Sequence, residues 1–146
     1  MNTPPISIPI EIVELENESF HLLISCTLNG EQCGDMVIDT GASKTVFDRN
    51  FVLNYQHKDV DEEDLQSCGL GGEDIDSDLV EIKSLGFGDF QSETLNVVLI
   101  DLSNINKMYQ KYCQRQICGL LGSDFLLNHQ AVIDYQKSQL ILSKKQ

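Results

Sequence analysis

The sequence predicts a mainly β domain carrying one amphipathic helix and one short helix near its C-terminal end. Three observations carry that prediction. Apolar residues alternate at Ile6, Ile8, Ile10 and Ile12, the period-two pattern of a half-buried strand. The runs HLLISCTL (His21 to Leu28) and LNVVLI (Leu95 to Ile100) are short, apolar and rich in β-favouring residues. The Ser103 to Gln116 segment instead follows helical spacing, with Ile105, Met108, Tyr109 and Tyr112 on one face.

The elements follow in order. Ile6 to Ile12 reads as one strand, edge-like because Pro9 cannot donate a ladder hydrogen bond. His21 to Leu28 runs into Asn29-Gly30, a strong hairpin signal. The return strand leads through Met36-Val37-Ile38 to Asp39, so a tight hairpin delivers a carboxylate to a strand end. Asp59 to Asp64 is acidic and reads as exposed. A glycine-rich stretch follows, then an alternating one with Val80 and Ile82 on one face, then the buried strand at Leu95 to Ile100. Ser103 suits the N-cap of the amphipathic helix, and Ser123 or Asp124 that of a short helix through Phe125, Leu126 and Leu127. The ending AVIDYQKSQLIL reads as two strands around a polar turn. Residues 1–146 read as a single domain, with residues 1–20 as an N-terminal extension or edge strand available for a dimer contact.

Composition excludes several classes of function. Ten basic residues against 23 acidic ones leave a net charge of −13, which repels nucleic acid. No apolar run reaches the ~18 residues that a membrane span requires. The first Lys or Arg is Lys44, so the start of the chain lacks the features of a secretory signal. Five cysteines, an odd number with no C-x-x-C, signal neither a disulfide framework nor a zinc site. A reducing cytoplasm is the expected location.

Other motifs fail on inspection. Asp74, Asp76 and Asp78 imitate the start of a calcium loop, but Leu79 stands where glycine is needed and Leu85 where glutamate is needed. The cluster Gly69, Gly71 and Gly72 is not followed by G-K-[ST]. His21, His57 and His129 have no partners at metal-ligand spacing, and no G-x-S-x-G elbow offers a serine nucleophile. No metal and no cofactor is expected.

Asp39-Thr40-Gly41 is a weak signal alone, but its setting is stronger. An apolar strand precedes it, Ala42-Ser43 follows, and Gly119-Leu120-Leu121-Gly122 lies some eighty residues downstream. Here the chain resembles the aspartic peptidases, specifically the single-domain retropepsin-like branch. Val37-Ile38-Asp39-Thr40-Gly41-Ala42 fits that family's catalytic signature. Leu120-Leu121-Gly122, with the short helix after it, looks like the family's second conserved element. Gly69-Leu70-Gly71-Gly72 is similar to the glycine-rich flap that covers substrate. The order and spacing agree from about Leu22 to Leu142.

The resemblance implies a retropepsin-like acid-protease closed β-barrel and an endopeptidase acting on peptide or protein substrates. Hydrolysing a peptide with water needs a base for the water and an acid for the substrate. Two carboxylates about 3 Å apart cannot both ionise cheaply, so the pair shares one proton and serves both roles. By resemblance Asp39 is catalytic, while Thr40, Gly41, Ala42 and Ser43 support the loop. Glycine at position 41 also lets backbone approach the carboxylate. Leu120, Leu121 and Gly122 would pack beneath. The chain holds a single Asp-Thr-Gly and no Asp-Ser-Gly, so the resemblance implies a homodimer with one Asp39 from each subunit. The alternative is a module of the same fold that binds or dimerises without cleaving. One departure stands out: retroviral members carry arginine soon after the second element, where this chain has Ser123-Asp124, closer to retrotransposon and bacterial variants.

Overall fold

The computed structural model describes residues 4–58 and 77–143. In chain order the strands are β1 (Ile6–Pro9), β2 (Glu11–Glu14), β3 (Phe20–Leu28), β4 (Gln32–Ile38), β5 (Val46–Asp48), β6 (Gln56–His57), β7 (Asp78–Ile82), β8 (Leu85–Phe87), β9 (Phe90–Gln91) and β10 (Leu95–Ile100). Helix α1 (Ser103–Cys113), β11 (Gly119–Leu121), α2 (Ser123–Asn128), β12 (Val132–Asp134) and β13 (Gln139–Leu142) complete the chain. The fold is mainly β, as the hydrophobic periodicity predicts, and its large sheet curls into a half-barrel. That sheet runs β6-β7-β10-β5-β11-β4-β3-β8-β9, with β2 added on β3, and a smaller sheet runs β1-β13-β12.

The N-terminal alternation forms two strands rather than one. β1 pairs antiparallel with β13 in the small sheet, while β2 pairs antiparallel with β3 in the large one. Ile10 is the joint, its N–H donating to the Ser138 carbonyl at 3.0 Å. Burial switches parity across this joint, from Ile8 and Ile10 to Val13 and Leu15, so Ile12 is exposed although the apolar alternation of the sequence runs on to it. The Asn29-Gly30 hairpin forms as expected. Asn29 and Gly30 both have positive φ, and Glu31 N–H closes on the Leu28 carbonyl at 3.0 Å.

Alternation sorts the core into two layers. Leu22, Ile24, Met36, Ile38, Val97 and Leu99 belong to one cluster, together with Phe125 of α2 and Leu140 of β13. The residues between them, Leu23, Val37 and Val98, belong to a second cluster with Leu102, Tyr109 and Ile117. Each fully buried aliphatic or aromatic side chain stabilises the fold by about 2 kcal/mol. Helix α1 thus covers the second face of the sheet. Of its expected apolar stripe, Tyr109 is buried, whereas Met108 and Tyr112 stay partly exposed.

The helix begins and ends differently from expectation. Ser103 is its first residue, not its cap: Leu102 holds the N-cap position without a side-chain bond. The Asp101 carboxylate instead accepts from both the Ser103 N–H and the Ser103 hydroxyl. The helix stops at Cys113 because Gln114 turns left-handed, at φ 56°. Arg115 then forks back to Glu11 on β2 and Asp35 on β4, at 2.8 and 3.1 Å. Those two carboxylates hold its guanidinium pKa above the usual value.

Cys26 and Cys118 meet in the core with their sulfurs 3.7 Å apart. They come from β3 and from the residue before β11, which lie on opposite sides of β4. Gly34 of β4 leaves the space between them, since a Cβ there would sit 2.8 Å from the Cys118 sulfur. Hydrogen bonding to Cys26, then burial, pushes the Cys118 thiol well above the usual thiol range. Backbones two strands apart are about 9.5 Å from each other, beyond the roughly 7 Å limit for a disulfide. The pair is therefore expected to remain reduced. Titration of the native protein with an aromatic disulfide reagent should modify exposed Cys33 quickly and leave Cys26 and Cys118 unreacted until denaturant is added. Mass mapping of the modified thiols checks this.

Candidate active site

The site is built where three strands end together. β11 lies between β4, to which it is parallel, and β5, to which it is antiparallel. Leu121 is paired with Ile38, and Leu120 with both Val37 and Val46. Residues 39–45 leave the end of β4, arch over the end of β11 and return as β5. Gly119 is needed within this sandwich, because a Cβ there would run into the Val46 carbonyl oxygen.

Asp39 opens the arch. Its N–H donates to the Leu121 carbonyl at 2.9 Å, extending the ladder with β11 by one rung. Its carbonyl accepts from the Ala42 N–H at 3.1 Å, which closes a turn over residues 39–42. One carboxylate oxygen accepts from the Gly41 N–H at 3.0 Å. The side chain is half-buried, while Thr40, Gly41 and Ser43 are exposed and Ala42 is half-buried. A Cβ on Gly41 would lie 3.3 Å from the same carboxylate oxygen. Glycine at this position keeps that edge of the acid open.

The second element lies directly under the arch. Ser123 N–H donates to the Ala42 carbonyl at 2.8 Å. Gly122 N–H donates to the Thr45 hydroxyl at 3.1 Å, and that hydroxyl donates to the Asp124 carboxylate at 2.8 Å. Asp124 also accepts from the Phe125 N–H at 2.8 Å in the first turn of α2. Gly122, not Ser123 or Asp124, holds the N-cap position of α2. Leu121 is buried and Leu120 is half-buried on the α1 side. The structure thus brings Asp39, Thr40, Gly41, Ala42 and Ser43 together with Leu120, Leu121 and Gly122. Gly69, Leu70, Gly71 and Gly72 lie outside the described residues.

Thr45 and Asp124 are the supporting residues that sequence reasoning missed. Asp124 reads as a helix cap, and no local spacing rule links it to a threonine 79 positions away. Their hydroxyl–carboxylate bond ties α2 to the arch. Thr45 is fully buried, so Thr45→Val would keep its shape but strand the Gly122 N–H without its acceptor. The expected loss is about 1–3 kcal/mol, read from urea denaturation midpoints of the two proteins at constant m.

Behind the arch stands a second polar pair. The Tyr109 hydroxyl is 2.7 Å from His21 Nδ1, with the rings edge to face at 5.5 Å. Burial, then the neighbouring Cys113, then the Asp39 charge push the Tyr109 phenol up to about 12. A cavity of about 500 Å³ lies to the side of the arch, lined by Lys44, Phe90, Gln91, Asp124, Phe125 and His129 among others, and Asp39 is not in its lining. Asp39 is half-buried and does not line this cavity. Among the described residues no group of three or more His, Cys, Asp or Glu side chains is arranged to hold a metal, and no helix is long and apolar enough to cross a membrane.

The family model for aspartyl proteases matches residues 24–125, and the chain belongs to that family. Two solved structures are similar to it. A retropepsin-like aspartic protease from Rickettsia conorii is 18% identical, with 96% of this chain and 90% of that one covered and a TM-score of 0.48. The retroviral protease-like domain of Ddi1 from Leishmania major is 14% identical, with 86% and 94% covered and a TM-score of 0.49. No curated protein matches the chain.

Proposed function

We propose that the chain is a homodimeric aspartic endopeptidase, hydrolysing peptide bonds with water activated by two Asp39 carboxylates, one from each subunit. The observation that carries this reading is the tethering of Asp39. Its backbone is bonded to β11, while its carboxylate accepts from the Gly41 N–H beside exposed Thr40 and Gly41. That is the presentation a second, symmetry-related carboxylate would need in order to approach.

In the dimer one Asp39 is ionised and takes a proton from the attacking water, while the other is protonated and donates to the carbonyl oxygen. The tetrahedral intermediate then collapses as a proton passes to the leaving nitrogen. Catalysis so described requires no cofactor. The buried, unbridged thiols fit a reducing cytoplasm.

The test is cleavage of a diverse peptide mixture between pH 4 and 7 by the native chain and by Asp39→Asn. Cleavage by the native chain alone is the expected result, with the variant reduced at least ~1,000-fold, as for loss of one member of a coupled catalytic unit. Equal cleavage by both would refute the assignment. A chain that dimerises in sedimentation experiments but cleaves nothing would be the binding module instead.

A further inference from the structure

We infer that the cavity beside the arch is a substrate subsite, and that Lys44 makes it selective for peptides with an acidic side chain a few residues from the scissile bond. The inference rests on the peptidase reading and narrows its substrate class. Of the residues lining the cavity, Lys44 comes from the same arch that carries Asp39. Residues 39–42 form a turn, closed by the Ala42 N–H on the Asp39 carbonyl, and such a turn spans under ~7 Å. The two further residues to Lys44 add at most about 7 Å. About four residues of extended peptide cover the combined distance. A substrate with its scissile bond at Asp39 can therefore lay a side chain over the cavity within about four positions of the cut.

Charge decides what the cavity takes. Lys44 is half-buried, and among the described residues it forms no ion pair. A partly desolvated ammonium without a counter-charge is costly, and a carboxylate brought by a ligand removes that cost. Asp124 shares the cavity, but its Oδ1 is taken up by the Thr45 hydroxyl and the Phe125 N–H, at 2.8 Å each. Glu93, the other acid in the lining, is exposed. Gly122 packs directly against the Lys44 carbonyl group, so the arch holds the lysine backbone in place.

Size and lining agree with this assignment. At about 500 Å³ the cavity falls within the roughly 300–1,000 Å³ of small-ligand sites. Leu95 and Phe125 offer an apolar floor, while Asn96 and Asn128 offer amide donors and acceptors to peptide groups. Glutamate, which carries its carboxylate on two methylenes, matches this division between floor and Lys44. The net charge of −13 works against acidic ligands at long range. A preference for one would therefore report a local contact.

The experiment is a cleavage profile of the full chain. A peptide library digested by the native protein and read by mass spectrometry should show Glu enriched over Gln at one position within about four residues of the cut. For two substrates differing only as Glu or Gln at that position, kcat/KM should favour Glu about 3- to 5-fold, the scale of a partly exposed ion pair. Lys44→Met should bring that ratio to about one, and Lys44→Glu should carry it below one. A ratio is readable in a weakened enzyme, and Lys44→Met decides alone if Lys44→Glu does not fold. No acidic enrichment on either side of the cut, or an unchanged ratio in Lys44→Met, would overturn the inference and leave the peptidase reading standing. If the native chain cleaves nothing, that reading fails and binding decides the subsite. The probe is then an acetylated, amidated alanine pentapeptide with glutamate at its centre, against the glutamine version. NMR signals of the Asn96 and Asn128 side-chain amides should shift more with the glutamate peptide, which would keep the cavity as an acidic-peptide site. Equal or absent shifts would overturn it.

Discussion

Gly122→Ala is expected to destabilise the subunit by about 3 kcal/mol or more, near the upper end for overpacking a tight site. A Cβ at this position would lie 2.7 Å from the Lys44 carbonyl carbon and 2.8 Å from both the Lys44 and Ala42 oxygens. All three are backbone atoms of the arch, so no side chain can rotate out of the way. Relief requires lifting the arch from β11, which would also stretch the bonds from Ser123 N–H to Ala42 and from Gly122 N–H to Thr45. The backbone angles of Gly122, φ −93° and ψ 175°, suit any residue, so the cost is steric alone. Gly30→Ala is the control. Gly30 has φ 72° and nothing within 4 Å of its built Cβ, so its cost is the roughly 1–2 kcal/mol of a left-handed residue. Denaturant midpoints of the three proteins measure the difference, and a Gly122→Ala midpoint equal to that of the native chain would disprove the steric account.

The second large effect concerns stoichiometry. When native and Asp39→Asn chains are unfolded, mixed in equal amounts and refolded together, random pairing gives about a quarter native dimers and about half mixed ones. A mixed pair sets a carboxylate against an amide and cannot share a proton between two acids. Peptidase activity should therefore drop to about a quarter of that of the same total amount of native protein. A site complete within one chain would leave half. Activity at one half, with mixed dimers verified by mass, would contradict the shared site. The net charge of −13 per chain opposes association at low ionic strength, so salt should raise any peptidase activity of the dilute native chain.

Much of this was legible in the sequence, for identifiable physical reasons. The unbroken apolar runs Leu22-Leu23-Ile24 and Val97-Val98-Leu99 report strands buried on both faces. Asn29-Gly30 supplies the positive φ that its turn requires. Asp39-Thr40-Gly41 and Leu120-Leu121-Gly122 are short, local patterns, and the structure brings them together. What escaped notice depends on contacts between distant positions. Thr45 with Asp124 and His21 with Tyr109 are ordinary polar residues until the sheet brings them together. The break at Ile10 was invisible because the apolar alternation runs on to Ile12, although burial switches there to Val13 and Leu15. The misplaced cap at Ser103 has a simpler cause: the Asp101 carboxylate accepts from both the Ser103 N–H and its hydroxyl, so Ser103 becomes the first helical residue with its side chain already committed.

The central position of β11 also constrains when the site can exist. Leu120 pairs with Val37, roughly eighty positions earlier. Until β11 inserts, β4 and β5 have no strand between them, and neither the Leu121 carbonyl nor the Gly122 N–H is available to the arch. Such distant pairings form late, after the entropy of a long loop has been overcome. During synthesis the Asp39 loop is made first and stays unbraced until β11, roughly eighty residues later, has emerged. A growing polypeptide would therefore carry its acid without the scaffold that aims it until β11 has been made.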